Sequence, residues 1–203
     1  MKIAIIGATG NVGSRLVNEA LGRGHQVTAI ARSAGKLPPQ AGLSAQALDF
    51  ADAGKLAAAL AGQEAVLVAV KYHAGDANQI LKAVKQAGVK RLLAVGGAGS
   101  LEAAPGLDVV DTPDFPPLWK PEALAARDFL RTLRLESELD WTMLSPSALL
   151  EPGERTAKYR IGGDQLLVDA QGHSKISIED LAKALIDELE KPQFSRKRFT
   201  VGY

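Results

Sequence analysis

Residues Gly7-Ala8-Thr9-Gly10-Asn11-Val12-Gly13 limit what this chain can become more than any other stretch. They follow Lys2-Ile3-Ala4-Ile5-Ile6, an isoleucine-rich run that reads as a buried parallel strand. They precede a helical pattern from Ser14 to Leu21. A strand, a glycine turn and a helix in that order make an anion site. Glycine lets the backbone turn tightly and approach a pyrophosphate with no Cβ in the way. The helix start adds unpaired N–H groups and the positive end of its dipole. The glycines stand at 7, 10 and 13 rather than in a G-x-G-x-x-G spacing, so the motif alone also fits a turn without a ligand. Its place at the first strand favours the nucleotide turn of a doubly wound sheet.

The remaining bounds narrow the class. A length of 203 residues fits one domain, spanning 1–203. Lys plus Arg number 24 and Asp plus Glu 23, a formal charge of +1, which gives no support to a nucleic-acid or anionic-membrane surface. The absence of cysteine excludes disulfides, thiolate catalysis and Cys-based zinc sites, and the scattered His25, His73 and His173 make no metal site. Ile3 to Ile6 is too short for a signal-peptide core, and no apolar run approaches a membrane span. A cytoplasmic protein, monomeric or homodimeric, is the expectation.

Strand and helix patterns then alternate. Gln26–Ala31 reads as a second strand and Leu43–Leu48 as a third. An alanine-rich helix over 53–61 follows, capped by Asp49 or Asp52. Ala65–Val70 is a continuous apolar run and hence a central strand, followed by a helix over 76–87 and a fifth strand, Arg91–Val95. This rhythm predicts an α/β fold with a mostly parallel sheet and helices on both faces. It breaks at 101–120, where Pro105, Pro113, Pro116 and Pro117 predict a long loop over the substrate side. A helix from Pro121 to Leu135 and a sixth strand, Asp140–Leu144, resume it. Residues 151–176 are short and polar, with minor strands at 159–161, 166–168 and 175–176, and read as a small C-terminal substrate cap. Ser177, with Asp180 behind it, caps a last helix that stops before Pro192, and Arg198–Val201 is the last strand.

Two strand ends bear on the ligand. An NAD-selective site carries an acid near the end of the second strand to accept from the ribose hydroxyls. Here Arg32 and Ser33 stand there, with Lys36 near. A guanidinium pairs with a 2′-phosphate in a bidentate fork, which favours NADP(H) and leaves NAD(H) open. Past the third strand, Asp49 can accept from an adenine amino group with Phe50 beside the ring; capping competes for Asp49.

With these residues in hand the chain resembles the atypical short-chain dehydrogenase/reductases, and within them the NmrA-like and biliverdin reductase B-like members, many described as NADH-flavin reductases. The resemblance rests on Ile5 to Gly13, Arg32-Ser33, Asp49, and Leu139-Asp140-Trp141-Thr142 leading into Ser145-Pro146-Ser147. It implies a Rossmann-type fold, a phosphate site at Gly7, Thr9, Gly10, Asn11 and Val12, a 2′-phosphate contact at Arg32 and an adenine contact at Asp49. It also implies a nicotinamide against Ala69, Val70 and Lys71, against Gly96 and Gly97, and against Pro146 and Ser147; the crevice at strand C-termini points to the same place.

One departure matters. The main dehydrogenase family uses Tyr-x-x-x-Lys. None of Tyr72, Tyr159 and Tyr203 has a lysine four residues on in this sequence: position 76 is Asp76 and position 163 is Gly163. Sugar-epimerase and alcohol-dehydrogenase chemistry by a tyrosine acid is therefore disfavoured. Reduction of a flavin, quinone or similar conjugated acceptor asks only for an oriented hydride and a proton. Tyr72 and His73, which follow the fourth strand, are candidate donors. Lys120 is a third, since related reductases carry a basic residue in that neighbourhood. The alternative function is an NADP(H)-binding redox sensor without turnover, as the NmrA resemblance permits.

Overall fold

The computed structural model describes residues 1–203. Its main sheet combines β1 (Lys2–Ile6), β2 (Gln26–Ala31), β3 (Leu43–Ala47), β4 (Ala65–Val68) and β5 (Arg91–Val95) with three later strands. The short β6 (Glu102–Ala104) and β7 (Leu107–Asp108) form a separate hairpin-like pair. The chain returns to the sheet with β8 (Asp140–Pro146), leaves it for β9 (Leu149–Glu151), returns with β10 (Arg160–Gly162), leaves again for β11 (Lys175–Ser177) and ends on β12 (Lys197–Gly202). The sheet order is β3-β2-β1-β4-β5-β8-β12-β10. Every neighbouring pair is parallel except β10 against β12. β9 and β11 pair in parallel as a small sheet of their own.

Five α-helices cover the two faces: α1 (Asn11–Gly22), α2 (Ala53–Leu60), α3 (Asn78–Gln86), α4 (Lys120–Leu135) and α5 (Ile178–Glu190). α1 and α5 bury Leu16, Val17, Leu181 and Leu185 against one face, with Ile3, Ile5 and Leu67. α2, α3 and α4 bury Leu56, Leu60, Ile80, Val84, Phe129 and Leu133 against the other, with Ile6, Val66 and Leu92. β1, β4 and β5 thus alternate their side chains between two apolar layers. This is why they read as unbroken apolar runs rather than alternating ones. The result is a doubly wound, Rossmann-like α/β fold. The chain runs outward from β1 to β3, then crosses back to β4, so the strand order reverses between β1 and β4.

Several expected boundaries shift for local reasons. β4 stops at Val68, and α3 starts at Asn78 because Asp76 turns back to accept from Asn78 N–H and the Gln79 side chain. β8 runs on through Ser145 and Pro146, two residues longer than the apolar run, because β12 pairs with it from Thr142 to Pro146. Asp52, not Asp49, caps α2, accepting from Lys55 N–H at 3.1 Å.

The stretch 101–120 is not structureless. It holds β6, β7 and two single helical turns, Val109–Asp111 and Pro117–Trp119, with Leu101 and Val110 fully buried. Arg127 of α4 fastens it through Asp108 and Asp111. The expected cap over 151–176 also divides. Residues 153–157 are strapped onto α1 and α5: Glu179 accepts from Gly153 N–H, Arg155 pairs with Glu19, and Asp180 accepts from Thr156 and Ala157. Leu166–Val168 forms no strand; Leu166 N–H instead donates to Glu102.

Candidate cofactor site

At the β1/β4 reversal the glycine turn is shaped by contacts only glycine tolerates. Gly7 has φ +85°, and a Cβ on it would sit 2.1 Å from Ala69 O on the neighbouring strand end. A Cβ on Gly13 would sit 2.0 Å from Gly7 O, so Gly13 lets α1 pack directly on the turn. Gly10 differs: it is exposed and stands at the N-cap of α1 with no side chain capping the helix. First-turn N–H groups are thereby left to face whatever enters. No acid occupies that first turn, so the dipole's positive end has no carboxylate from α1 itself.

A crevice of about 260 Å³ opens beside this turn. It brings together Gly7, Thr9, Gly10, Arg32, Ser33, Asp49, Phe50, Ala69, Val70 and Lys71, all of which the sequence singles out. Ile6, Ile30, Ala31, Leu48 and Ala74 complete its wall, and these went unpredicted. All but Ala74 are the last apolar residues of strands or lie just past them, and strand-end position was the signal that could have found those four; Ala74 closes the single helical turn after β4. Thr9 and Ser33 share a hydrogen bond of 2.9 Å between their hydroxyls, tying the glycine turn to the end of β2. Arg32 beside them is exposed and belongs to no ion pair. Asp49 is exposed, its Oδ1 accepting Ala51 N–H at 3.0 Å, and this holds the carboxylate at the crevice edge.

The residues present fit a dinucleotide: an uncapped helix start for the pyrophosphate, an unpaired guanidinium for a 2′-phosphate and an acid with an aromatic neighbour at the far wall. Ligand pockets begin at about 300 Å³, so the crevice matches the adenosine side of such a ligand rather than the whole. Asn11 and Val12 lie in the first turn of α1, next to it. Gly96, Gly97, Pro146 and Ser147 lie outside it, at the ends of β5 and β8. Ser147 is corrected as a side-chain contact: it is 1% exposed and its hydroxyl donates to Val201 O at 2.9 Å.

Tyr72 is likewise corrected. It is 3% exposed, its hydroxyl donates to Val95 O at 2.8 Å and its ring stacks on Phe129 at 4.9 Å. Burial, with the nearby charge of Glu122, pushes its phenol far above the ordinary range. That hydroxyl supports the core and does not face a substrate. His73, half-exposed on the next position, contacts Glu122 of α4 through Nδ1. Lys120 is exposed at the start of α4, beside Trp119, which is 60% exposed and neither anchors its loop nor enters the core. Trp141 is core, as its strand position implies, and His25 is structural, buried between the N-terminal amine and Glu190. No cluster of histidine and carboxylates able to hold a metal is present, and no helix is long and apolar enough to cross a membrane.

A doubly wound sheet with an open anion site at its reversal point defines a nucleotide-binding protein of the Rossmann class. Comparison makes this specific: a model of the NAD(P)H-binding family matches residues 7–192, and the chain belongs to that family. It is 40% identical to the uncharacterized protein YwnB of Bacillus subtilis, over 99% of this chain and 98% of that one. A solved structure from Bacteroides thetaiotaomicron, described as a candidate epimerase, is 43% identical with a TM-score of 0.96, covering 100% of this chain and 96% of its own. Another, from Streptococcus pneumoniae, is described as a candidate NADH-flavin reductase. It is 35% identical with a TM-score of 0.86, covering 100% and 99%.

Proposed function

We propose that the chain is an NADPH-dependent reductase of flat conjugated acceptors such as flavins or quinones. The observation that carries the cofactor half is Arg32, an exposed and unpaired guanidinium in the same crevice as the uncapped start of α1. An NAD-selective site has an acid there instead. The acceptor half is supported by the absence of a Tyr-x-x-x-Lys dyad and by the similarity to a candidate flavin reductase. The same absence argues against carrying over the epimerase description of the Bacteroides protein.

When bound, the reduced nicotinamide supplies a hydride. The chain's own residues bind and orient. Gly10 and the α1 start hold the phosphates, Arg32 and Ser33 the 2′-phosphate, and Asp49 and Phe50 the adenine. Ala69 to Lys71, at the end of β4, form the wall toward the reacting end. The test is oxidation of NADPH, followed by its absorbance, across a panel of flavins and quinones. Steady turnover, faster with NADPH than with NADH, is expected. Tight binding with no oxidation across the panel would replace this reading with a cofactor sensor.

A further inference from the structure

His73 and Glu122 are 49 residues apart in sequence and meet above the end of β4. The Glu122 carboxylate gathers one short turn: Oε1 accepts Tyr72 N–H at 3.0 Å, and Oε2 accepts His73 N–H at 3.1 Å. Oε2 also meets His73 Nδ1 in a short contact. An ionised carboxylate only accepts, so Nδ1 is the ring nitrogen that keeps its proton in that contact. The neutral imidazole is thereby fixed as the Nδ1–H tautomer, and Nε2 is left for another partner. The ring is 46% exposed and stands just past Ala69 to Lys71, the stretch placed above toward the reacting end, outside the crevice lining itself.

We propose that His73 is the proton donor of the reduction and that Glu122 is its positioning residue. The proposal rests on the reductase reading above. The same geometry separates His73 from its neighbour: the Tyr72 hydroxyl is committed to Val95 O inside the core, whereas Nε2 of His73 is not committed. In the imidazolium both nitrogens carry protons, one held by Glu122 and one on Nε2. The acceptor takes a hydride from the bound nicotinamide and a proton from Nε2. The Nε2–H bond breaks as the new bond to an acceptor nitrogen or oxygen forms. The nicotinamide is oxidised by two electrons and the acceptor reduced by two. The imidazole ends neutral, its Nδ1–H still on Glu122, and regains the second proton from water.

Two measurements test this. In the free protein, nitrogen-15 NMR of the histidine rings should report the Nδ1–H tautomer for His73, and Glu122→Gln should release it toward the Nε2–H form. In turnover with NADPH and flavin mononucleotide, His73→Gln should lower kcat at least ~100-fold with the KM for NADPH unchanged, the scale of general-acid catalysis. Glu122→Gln should lower kcat less, and Glu122→Asp should recover part of the loss. A wild-type Nε2–H tautomer overturns Glu122's role. Turnover that His73→Gln leaves unchanged overturns the donor assignment alone, whereas no oxidation by wild type with any acceptor overturns the reductase reading and this assignment with it. If Glu122→Gln does not fold, having lost a carboxylate that two backbone N–H groups use, His73→Gln leaves those bonds intact and still decides.

Discussion

Arg91 and Arg32 stand at opposite ends of the parallel strands, one rim where strands begin and one where they end, and their surroundings are opposites too. Arg91 begins β5. Its side chain is 10% exposed and bonds Glu188 Oε1 at 2.9 Å and Thr142 Oγ1 at 2.8 Å. Glu188 in turn accepts from Gln193 N–H and Phe194 N–H, closing the turn before β12. Nearby, Arg23 reaches Glu19, Asp187 and Glu190. Arg32 follows β2 at the other rim, exposed and without a carboxylate. At the rim where strands begin, cations are neutralised by the chain itself and hold elements together. At the rim where strands end, a cation and a helix start are left for something else to neutralise. The contrast marks the candidate site more sharply than crevice volume does.

The largest effect should come from breaking the sealed rim. Glu188→Ala leaves the buried Arg91 with only the half-exposed Asp140, at 3.4 Å, to compensate it, and should cost about 3 kcal/mol, the low end for a broken buried pair, read by urea unfolding. A loss under about 1 kcal/mol would show that the rim is not sealed as described. Gly13→Ala forces α1 off the glycine turn and should cost about 1–3 kcal/mol as an overpacking change; unlike Glu188→Ala, it should also weaken NADPH binding measured by calorimetry. Arg32→Ala probes the open rim alone. It should weaken NADPH by about 1–3 kcal/mol, the range for a charge-assisted bond, with NADH binding and unfolding unchanged. Equal loss for both cofactors would end the contrast between the two arginines.

The smallest change tests a third place, where the chain straps itself down. Ser177 caps α5 by accepting Asp180 N–H at 3.0 Å, and Ser177→Ala should cost about 1 kcal/mol with no effect on cofactor binding. Asp180 adds a pH dependence there. Burial pushes its carboxyl up, but hydrogen bonds from Thr156, Ala157 and Tyr203 outweigh this and hold it below the ordinary range. Its contribution is therefore present above the unfolded pKa of about 3.9 and is lost as pH falls through the lower folded value. Asp180→Asn should flatten that part of the acid limb in pH-dependent unfolding.

Much of the fold could be read from the residues because its signals are local. The Gly7–Gly13 turn, the apolar runs at 65–68 and 91–95 and the Ser177 cap each declare themselves within a few positions. Much of the crevice was legible for the same reason: most of its lining lies at or just past the ends of β1, β2, β3 and β4, and strand ends can be found by pattern. The setting of Tyr72 and His73 was not. Tyr72 and His73 are adjacent and look equivalent in sequence. What separates them is Phe129 and Glu122, both on α4, which turn one ring into the core and grip the other. Glu122, after Pro121, reads as an ordinary first-turn acid of a helix, and nothing near it announces a histidine in a turn that precedes it by more than a helix and a strand. The division of the 151–176 stretch was hidden likewise. Its fastenings are Glu19, Glu179 and Asp180, side chains on helices that pattern alone cannot pair with a polar loop.

The placing of β12 sets an order of assembly. β1 to β5 are joined by short crossovers and can collapse as soon as they are made. β12 inserts between β8 and β10, and its Arg198 reaches back to Ser100 O across 98 residues. Closing a loop of that size gives no return until both ends are in place. In pulse-labelled refolding, the amides of β12 and β10 should therefore gain protection after those of β1, β4 and β5. The half of the sheet that carries the glycine turn should then mature before the half that holds β10 and β12, so cofactor added early in refolding should already find the turn before α1 in place.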